Sequence, residues 1–385
     1  MGGLPMPPLH VMIKPASSLC NLRCTYCFYA DVSNRRETAS FGVMKDELLE
    51  KLVRRAFAYA QGQVSFTFQG GEPTVAGKDF FRSFLKYVRR YRTQGTQVSC
   101  AIQTNGTLLD EEWMDIFREG SFLVGVSIDG TKELHDRCRL AADGSPTYDL
   151  VMEKTALLRN ANIDYNILCV VNRPIALHGR EVFENLRQHG FLQFIPCLDD
   201  FDGEPTELSL RPGDYGRFLC DTFPLYEETW LADRPVSIRT FDNWIGMLMG
   251  YPPESCAMCG RCGNYYLMEA DGSAYPCDFY VLDEWKLGNI GSDSFFRLEK
   301  SEVGRRFCYL SLQVDDKCRQ CAWYFLCRGG CRREREPMVN DVLSLNRLCG
   351  DHLMFFNKYG QRMEALARRI ARQRGMNPDR VRRVP

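Results

Sequence analysis

The sequence predicts an α/β protein: a parallel sheet with crossover helices, followed by a smaller cysteine-rich region. Three observations carry this expectation. From His10 to Cys197 short apolar runs alternate with segments of helical period, the pattern of strand–helix units joined by right-handed crossovers. The chain has 385 residues, 45% of them hydrophobic, enough for one large domain and a smaller one. Beyond Ser255 the density of cysteines jumps, which points to metal ligation in the second part.

Taken in order, six strands are expected at His10–Lys14, Val64–Phe68, Val98–Gln103, Phe122–Ile128, Asp164–Val171 and Leu192–Cys197. Each is a short apolar run bounded by turn residues. Helices are expected at Lys45–Ala60, Lys78–Tyr91, Asp110–Glu119, Tyr148–Asn160 and Gly179–His189, with Pro212–Thr229 after the last strand. Leu48, Leu49, Leu52, Val53, Ala56 and Phe57 form the i, i+3, i+4 stripe that lays the first helix on a sheet. A boundary is expected between Ala232 and Ser255, where Tyr251-Pro252-Pro253-Glu254 breaks regular structure. Residues 1–232 and 233–385 are read as the two domains.

Composition excludes several classes of function. Lys+Arg and Asp+Glu both number 49, so net charge gives no reason to expect nucleic acid or an anionic membrane as partner. The first residues, MGGLPMPPLH, lack the basic start and apolar run of an export signal, and no segment approaches the length of a membrane span. A soluble cytoplasmic protein is expected. In that setting the 18 cysteines, clustered rather than dispersed, favour metal ligation over disulfides.

Chemistry is concentrated in Cys20-Asn21-Leu22-Arg23-Cys24-Thr25-Tyr26-Cys27. Three thiolates this close on one loop can hold three corners of a cubane iron–sulfur cluster, and the missing fourth leaves one iron open to a ligand. A structural zinc site would close its shell with a fourth Cys or His, and none lies nearby. At the end of the second strand, Phe68-Gln69-Gly70-Gly71-Glu72-Pro73-Thr74 lets backbone approach a ligand with no side chain between. Gln103 to Thr107 and Val126 to Gly130 place polar residues where the third and fourth strands end. Cys100, Cys169 and Cys197 lie within apolar runs and read as small core residues. His135 and His178 read as helix-edge or loop residues, and Cys138, Cys220 and Cys308 receive no role.

In the second part, Cys256, Cys259, Cys262, Cys277, Cys318, Cys321, Cys327, Cys331 and Cys349 supply more thiols than one site needs. Eight ligands fill two closed cubanes if Cys256 joins Cys262, Cys277 and Cys331. Any two of Cys256, Cys259 and Cys262 satisfy the local spacing, and a pair of zinc ribbons is the competing reading. Asp278 directly follows Cys277. A carboxylate beside a candidate electron acceptor can take the proton that leaves as an electron is passed on. Asp278 is the candidate general base; a loop aspartate capping backbone amides is the plain alternative. The basic tail from Arg368 to Arg383 reads as a solvated helix face with a frayed end.

The spacing C-x3-C-x2-C with Tyr26 in place resembles the signature of the radical S-adenosylmethionine (SAM) enzymes. That resemblance implies an α/β partial (β/α)6 barrel with the cysteine loop after its first strand, SAM on the open iron, and reductive cleavage to a 5′-deoxyadenosyl radical. It carries SAM contacts onto Tyr26, Gly71, Ser127, Arg139 and Leu198. The later cysteines resemble the SPASM extension, which implies two auxiliary [4Fe–4S] clusters and so three in all. One is held by Cys256, Cys262, Cys277 and Cys331, the other by Cys318, Cys321, Cys327 and Cys349.

From Met12 to Cys349 the chain is similar to the anaerobic sulfatase-maturating enzymes, on four stretches: the cysteine loop through Phe28-Tyr29; Phe68 to Thr74; Tyr275 to Ile290; and Cys327-Arg328-Gly329-Gly330-Cys331-Arg332-Arg333. This similarity implies oxidation of an active-site cysteine or serine of a sulfatase segment to Cα-formylglycine, with Tyr29 and Gln69 positioning the substrate peptide. A reductant such as ferredoxin or flavodoxin is implied as a further partner. The competing expectations are a SPASM enzyme that makes a thioether, crosslink or epimerised residue in another peptide, and a non-catalytic zinc or electron-transfer protein.

Overall fold

Alternation of apolar and polar residues places the strands where the sequence leads one to look. The computed structural model describes residues 8–263 and 265–385. The expected six strands are β1 (Leu9–Ile13), β2 (Gln63–Phe68), β3 (Gln97–Thr104), β4 (Phe122–Ser127), β5 (Tyr165–Val171) and β6 (Phe191–Pro196). Among the described residues six short strands follow: β7 (Ser237–Ile238), β8 (Tyr266–Met268), β9 (Ser273–Tyr275), β10 (Gly288–Asn289), β11 (Met338–Val339) and β12 (Val342–Leu343). Runs this short carry no legible period, so the sequence pattern did not reveal them. Residues 1–7, part of the stretch read for an export signal, lie outside the described residues. Among those described, no helix is long and apolar enough to cross a membrane.

The chain forms two compact units. The first comprises the described residues of Met1–Ile128, Asp136–Asn166 and Asn264–Phe307. Its strand order is β10-β9-β8-β1-β2-β3-β4. β1 to β4 run parallel, as does β8 beside β1, whereas β9 and β10 are antiparallel additions. Helices Asp46–Tyr59, Lys78–Tyr91 and Glu111–Gly120 connect the parallel strands. Leu49, Leu52, Val53, Ala56 and Phe57 are buried as the stripe requires, and Leu48 is half-buried. Phe66 and Phe68 pack edge-on against Phe84, and Phe81 against Trp113. Burying each such ring stabilises the layer by roughly 1.5–3 kcal/mol.

This topology positions the site. β8 lies beside β1, so Glu269 and Lys14 leave neighbouring strand ends, and the Lys14 amide donates to the Met268 carbonyl at 2.8 Å. On the other side of β1 the Gln69 amide donates to the Ile13 carbonyl at 3.0 Å. The loop after β1, the turn after β2 and the β8–β9 hairpin therefore open on the same edge of the sheet.

The second unit comprises Asp129–His135, Ile167–Gly263 and Cys308–Pro385. β6 pairs in parallel with β5 from Ile167 onward and with β7 on its other side. Helices Asp214–Leu231, Arg239–Leu248 and the 25-residue Cys349–Gln373 pack with an aromatic core of Phe223, Phe241, Trp244 and Phe355. The expected break at Tyr251 is present, but a strand and a helix, β7 and Arg239–Leu248, fill the stretch before it.

Arg372, Arg374, Arg380, Arg382 and Arg383 are exposed, as a solvated face requires, but the end of the basic tail is not frayed. Val381 is buried, the Arg382 amide donates to Leu248 O at 2.8 Å, and the Arg382 guanidinium lies 3.8 Å from the Phe325 ring centroid. Arg368 bonds Glu364 and the Pro378 carbonyl. A backbone carbonyl and Glu364 hold Arg368, and an aromatic face carries the exposed Arg382.

Candidate functional site

Cys20, Cys24 and Cys27 occupy the loop between β1 and the helix Phe28–Asn34. Their sulfurs face donors: Cys20 Sγ accepts from Leu22 N–H at 3.3 Å and Asn105 Nδ2 at 3.9 Å, and Cys24 Sγ from Arg139 Nη1 at 3.9 Å. Donors aimed at sulfur favour the thiolate form that ligates iron, although at Cys20 burial outweighs them and raises the thiol.

The turn after β2 fastens this loop. Gly71 N–H donates to Ser17 O at 3.0 Å and Glu72 N–H to Leu19 O at 2.7 Å. A Cβ on Gly71 would lie 2.1 Å from Leu19 O, so only glycine permits the approach. Buried Glu72 accepts from Thr74 N and Oγ1, from Thr104 Oγ1 and, at 2.7 Å, from Asn105 N. It thereby joins the turn to the end of β3. Ser127 Oγ, at the end of β4, accepts from Gln103 Nε2 at 2.9 Å. Arg139 is buried with its guanidinium 5.5 Å from the Tyr26 ring centroid, not a solvated surface residue. In the second unit, Leu198 lies between Cys197 and Asp199, whose carbonyls accept from Arg347 and Arg333.

Asp278 begins the turn after β9, and its carboxylate meets side chains rather than backbone amides. Oδ2 accepts from Tyr29 Oη at 2.7 Å and Gln69 Nε2 at 3.2 Å, while buried Oδ1 has no hydrogen-bond partner among the described residues. Burial pushes the carboxyl up to about 6, against the lowering effects of the Tyr29 hydrogen bond and Lys14. Burial and Asp278 together keep the Tyr29 phenol well above its ordinary value. The expected base and the two expected substrate-positioning residues are thus one hydrogen-bonded group.

Beneath it lies a buried ion cluster that the sequence reading missed. Lys14 Nζ is 3.2 Å from Glu269 Oε2, Arg36 Nη1 is 2.6 Å from the same oxygen, and Lys14 lies 5.2 Å from the Tyr29 ring centroid. Burial alone would raise the Glu269 carboxyl, but Lys14 and Arg36 outweigh it and hold it below its ordinary value. The available signal was a lysine directly ending the apolar run of β1 and a glutamate directly ending that of β8.

The candidate ligand cysteines of the second unit fall in two sets. Cys331, Cys256 and Cys262 interact electrostatically, as do Cys327, Cys318, Cys321 and Cys349. Cys259 is coupled to Cys256. Cys308, given no role by sequence, is coupled to Cys262; Ser311 Oγ accepts from Cys262 N–H and donates to Cys308 O. Cys277 belongs to the first unit. Burial raises the thiols of Cys331, Cys327 and Cys262, a penalty that bound iron inverts. Among the described residues no three His, Cys, Asp or Glu side chains converge on a single ion. The candidate ligands are all cysteine thiols, one for each iron of a cubane cluster, so the donor set fits cubanes. Cys100, Cys169 and Cys197 are buried in the core as expected, and so are Cys138 and Cys220. His135 Nδ1 accepts from the Asp129 amide and His178 Nδ1 faces Pro174 O.

The Radical SAM superfamily model matches residues 15–188, and the SPASM iron-sulfur cluster-binding domain model matches residues 252–322. A cysteine-type anaerobic sulfatase-maturating enzyme of Clostridium novyi (strain NT) is 46% identical over 95% of this chain and 99% of its own. This chain belongs to the anaerobic sulfatase-maturating enzymes. Within that family, the serine-type enzyme of Bacteroides thetaiotaomicron is 32% identical over 95% of this chain and 93% of its own. The solved structure of native anSMEcpe with bound AdoMet and Cp18Cys peptide matches with a TM-score of 0.90 and 41% identity, covering 94% of this chain and all of that one. The fold is accordingly the α/β partial barrel of the radical SAM type, with the SPASM domain toward the C-terminus.

Proposed function

We propose that this chain is a radical SAM oxidoreductase that converts the active-site cysteine, or serine, of a sulfatase segment to Cα-formylglycine. The observation that carries the reading is the group Tyr29–Asp278–Gln69: a buried carboxylate held at one oxygen by two donors, with its other oxygen without a hydrogen-bond partner among the described residues, immediately after a cluster-ligand candidate. It stands in a chain of the sulfatase-maturating family.

Three [4Fe–4S] clusters and SAM, when bound, supply the radical that takes hydrogen from the substrate Cβ and the acceptor for the electron then released. The residues proposed to hold them are Cys20, Cys24 and Cys27 for the first cluster; Cys256, Cys262, Cys277 and Cys331 for the second; Cys318, Cys321, Cys327 and Cys349 for the third. Tyr26, Gly71, Ser127, Arg139 and Leu198 are the proposed SAM contacts. Residues 1–232 are taken as the SAM domain and 233–385 as the auxiliary-cluster domain.

Asp278 Oδ1 takes the proton from the substrate thiol or hydroxyl as the carbon–heteroatom double bond forms. Tyr29 and Gln69 hold Oδ2, so the basic oxygen keeps a fixed direction. Cysteine gives a thioaldehyde that water hydrolyses; serine gives the aldehyde directly. Ferredoxin or flavodoxin is the proposed donor, in the cytoplasm. The test is to incubate reconstituted, reduced protein and SAM with a peptide bearing the sulfatase cysteine motif. Hydrazide-reactive aldehyde is expected, and deoxyadenosine release with an unaltered peptide would contradict the reading.

A further inference from the structure

Cys349 opens the helix Cys349–Gln373, and His352 lies one turn on, on the same helix face. Its Nδ1 is 3.7 Å from the Sγ of Cys327, at the end of the short helix Tyr324–Cys327. The imidazole is fixed by rings, not by the sulfur: Trp244 stands edge-on at 5.8 Å between centroids, Tyr215 at 6.2 Å, and Phe356 lies tilted at 6.0 Å. From the other side the chain turns at Arg328, with φ 52°, so that the Gly329 amide also donates to Cys327. A thiolate on iron offers only lone pairs, so a hydrogen bond here requires the proton on Nδ1.

We infer that His352 is a positioning residue that raises the reduction potential of the cluster held by Cys318, Cys321, Cys327 and Cys349, by donating Nδ1–H to the Cys327 sulfur. The inference rests on the cluster assignment proposed above. Reduction adds negative charge to the cluster and its sulfurs. A donor fixed against one sulfur stabilises the reduced state more than the oxidised one, and hydrogen bonds to sulfur are an established control on such potentials. The consequence is a better acceptor for the electron released by the substrate.

The test uses the full chain carrying all its clusters, with iron analysis and redox titration followed by electron paramagnetic resonance. His352→Leu removes the donor, whereas His352→Asn places an amide N–H near the Nδ1 position. With about 12 iron atoms retained in each variant, one of the three midpoint potentials should fall in His352→Leu by about 59 mV, a tenfold change for one electron. In His352→Asn it should return toward the wild-type value. Unmoved potentials at full iron content would overturn the inference, as would equal shifts in both variants. Loss of about four iron atoms in both variants would also overturn it, by making the role assembly rather than tuning. Wild-type protein holding only about eight iron atoms would instead refute the cluster assignment itself.

Discussion

Replacing Gly71 by alanine tests how the cysteine loop is held. The new Cβ would sit 2.1 Å from Leu19 O and 2.7 Å from the carbonyl carbons of Ser18 and Leu19, all backbone atoms with no rotamer to change. To reach an ordinary contact of 3.4 Å, the two segments must separate by about 1.3 Å. That separation breaks the hydrogen bonds Gly71 N–Ser17 O and Glu72 N–Leu19 O, a net loss of about 1–3 kcal/mol. It falls on the residue preceding Cys20. Gly71→Ala should therefore lose the cluster at Cys20, Cys24 and Cys27, lowering iron from about 12 to about 8 atoms per chain. Deoxyadenosine release should drop at least tenfold. The control is Gly95→Ala, where φ is +81° but nothing lies within 4 Å of the new Cβ; it costs about 1 kcal/mol in backbone strain and leaves iron content unchanged. Full iron and wild-type SAM cleavage in Gly71→Ala would refute the reasoning.

Tyr29→Phe removes the 2.7 Å hydrogen bond to Asp278, worth about 1.5–3 kcal/mol for a charged acceptor. Aldehyde formation should fall by a factor of about ten to a few hundred while SAM cleavage persists, and equal losses in both assays would contradict a role at Asp278. Glu269→Ala leaves Lys14 and Arg36 buried without their shared carboxylate, so denaturant unfolding should show a loss of about 3–5 kcal/mol; a loss below 1 kcal/mol would mean that the cations find other partners. Truncation after Arg380 removes buried Val381 and two backbone hydrogen bonds, to Leu248 and Glu364. It should destabilise the chain by about 2–5 kcal/mol, whereas an unchanged melting temperature would restore the view of the tail as frayed.

How much of this was legible in the sequence depends on the length over which a signal repeats. The helices Lys78–Tyr91 and Tyr148–Asn160 begin and end where their apolar period does, and the six long strands shift by no more than one residue at either end. Strands of two or three residues, such as β8 and β9, have no period to read. They are nevertheless the elements that bring Glu269 and Asp278 to β1 and β2. Asp278, Tyr29 and Gln69 could each be singled out from motif and chemistry, but their meeting at one oxygen depends on β8 pairing with β1 across more than 250 residues of chain. A lysine at the end of an apolar run, as at Lys14, reads as a strand boundary and not as part of a buried ion cluster. The solvated arginines of the tail are legible from charge, but the anchoring of its end through Val381 and the Arg382 amide is not, because charge density does not reveal a waiting carbonyl.

The most direct measurement of the central claim is the ratio of aldehyde to deoxyadenosine formed by Asp278→Asn. Asparagine keeps the shape and can still accept from Tyr29, but it is no base. With clusters intact and SAM still cleaved, the ratio should fall by about 10²–10⁴, the usual contribution of a general base. A ratio equal to that of the wild-type protein would show that the proton leaves by another route.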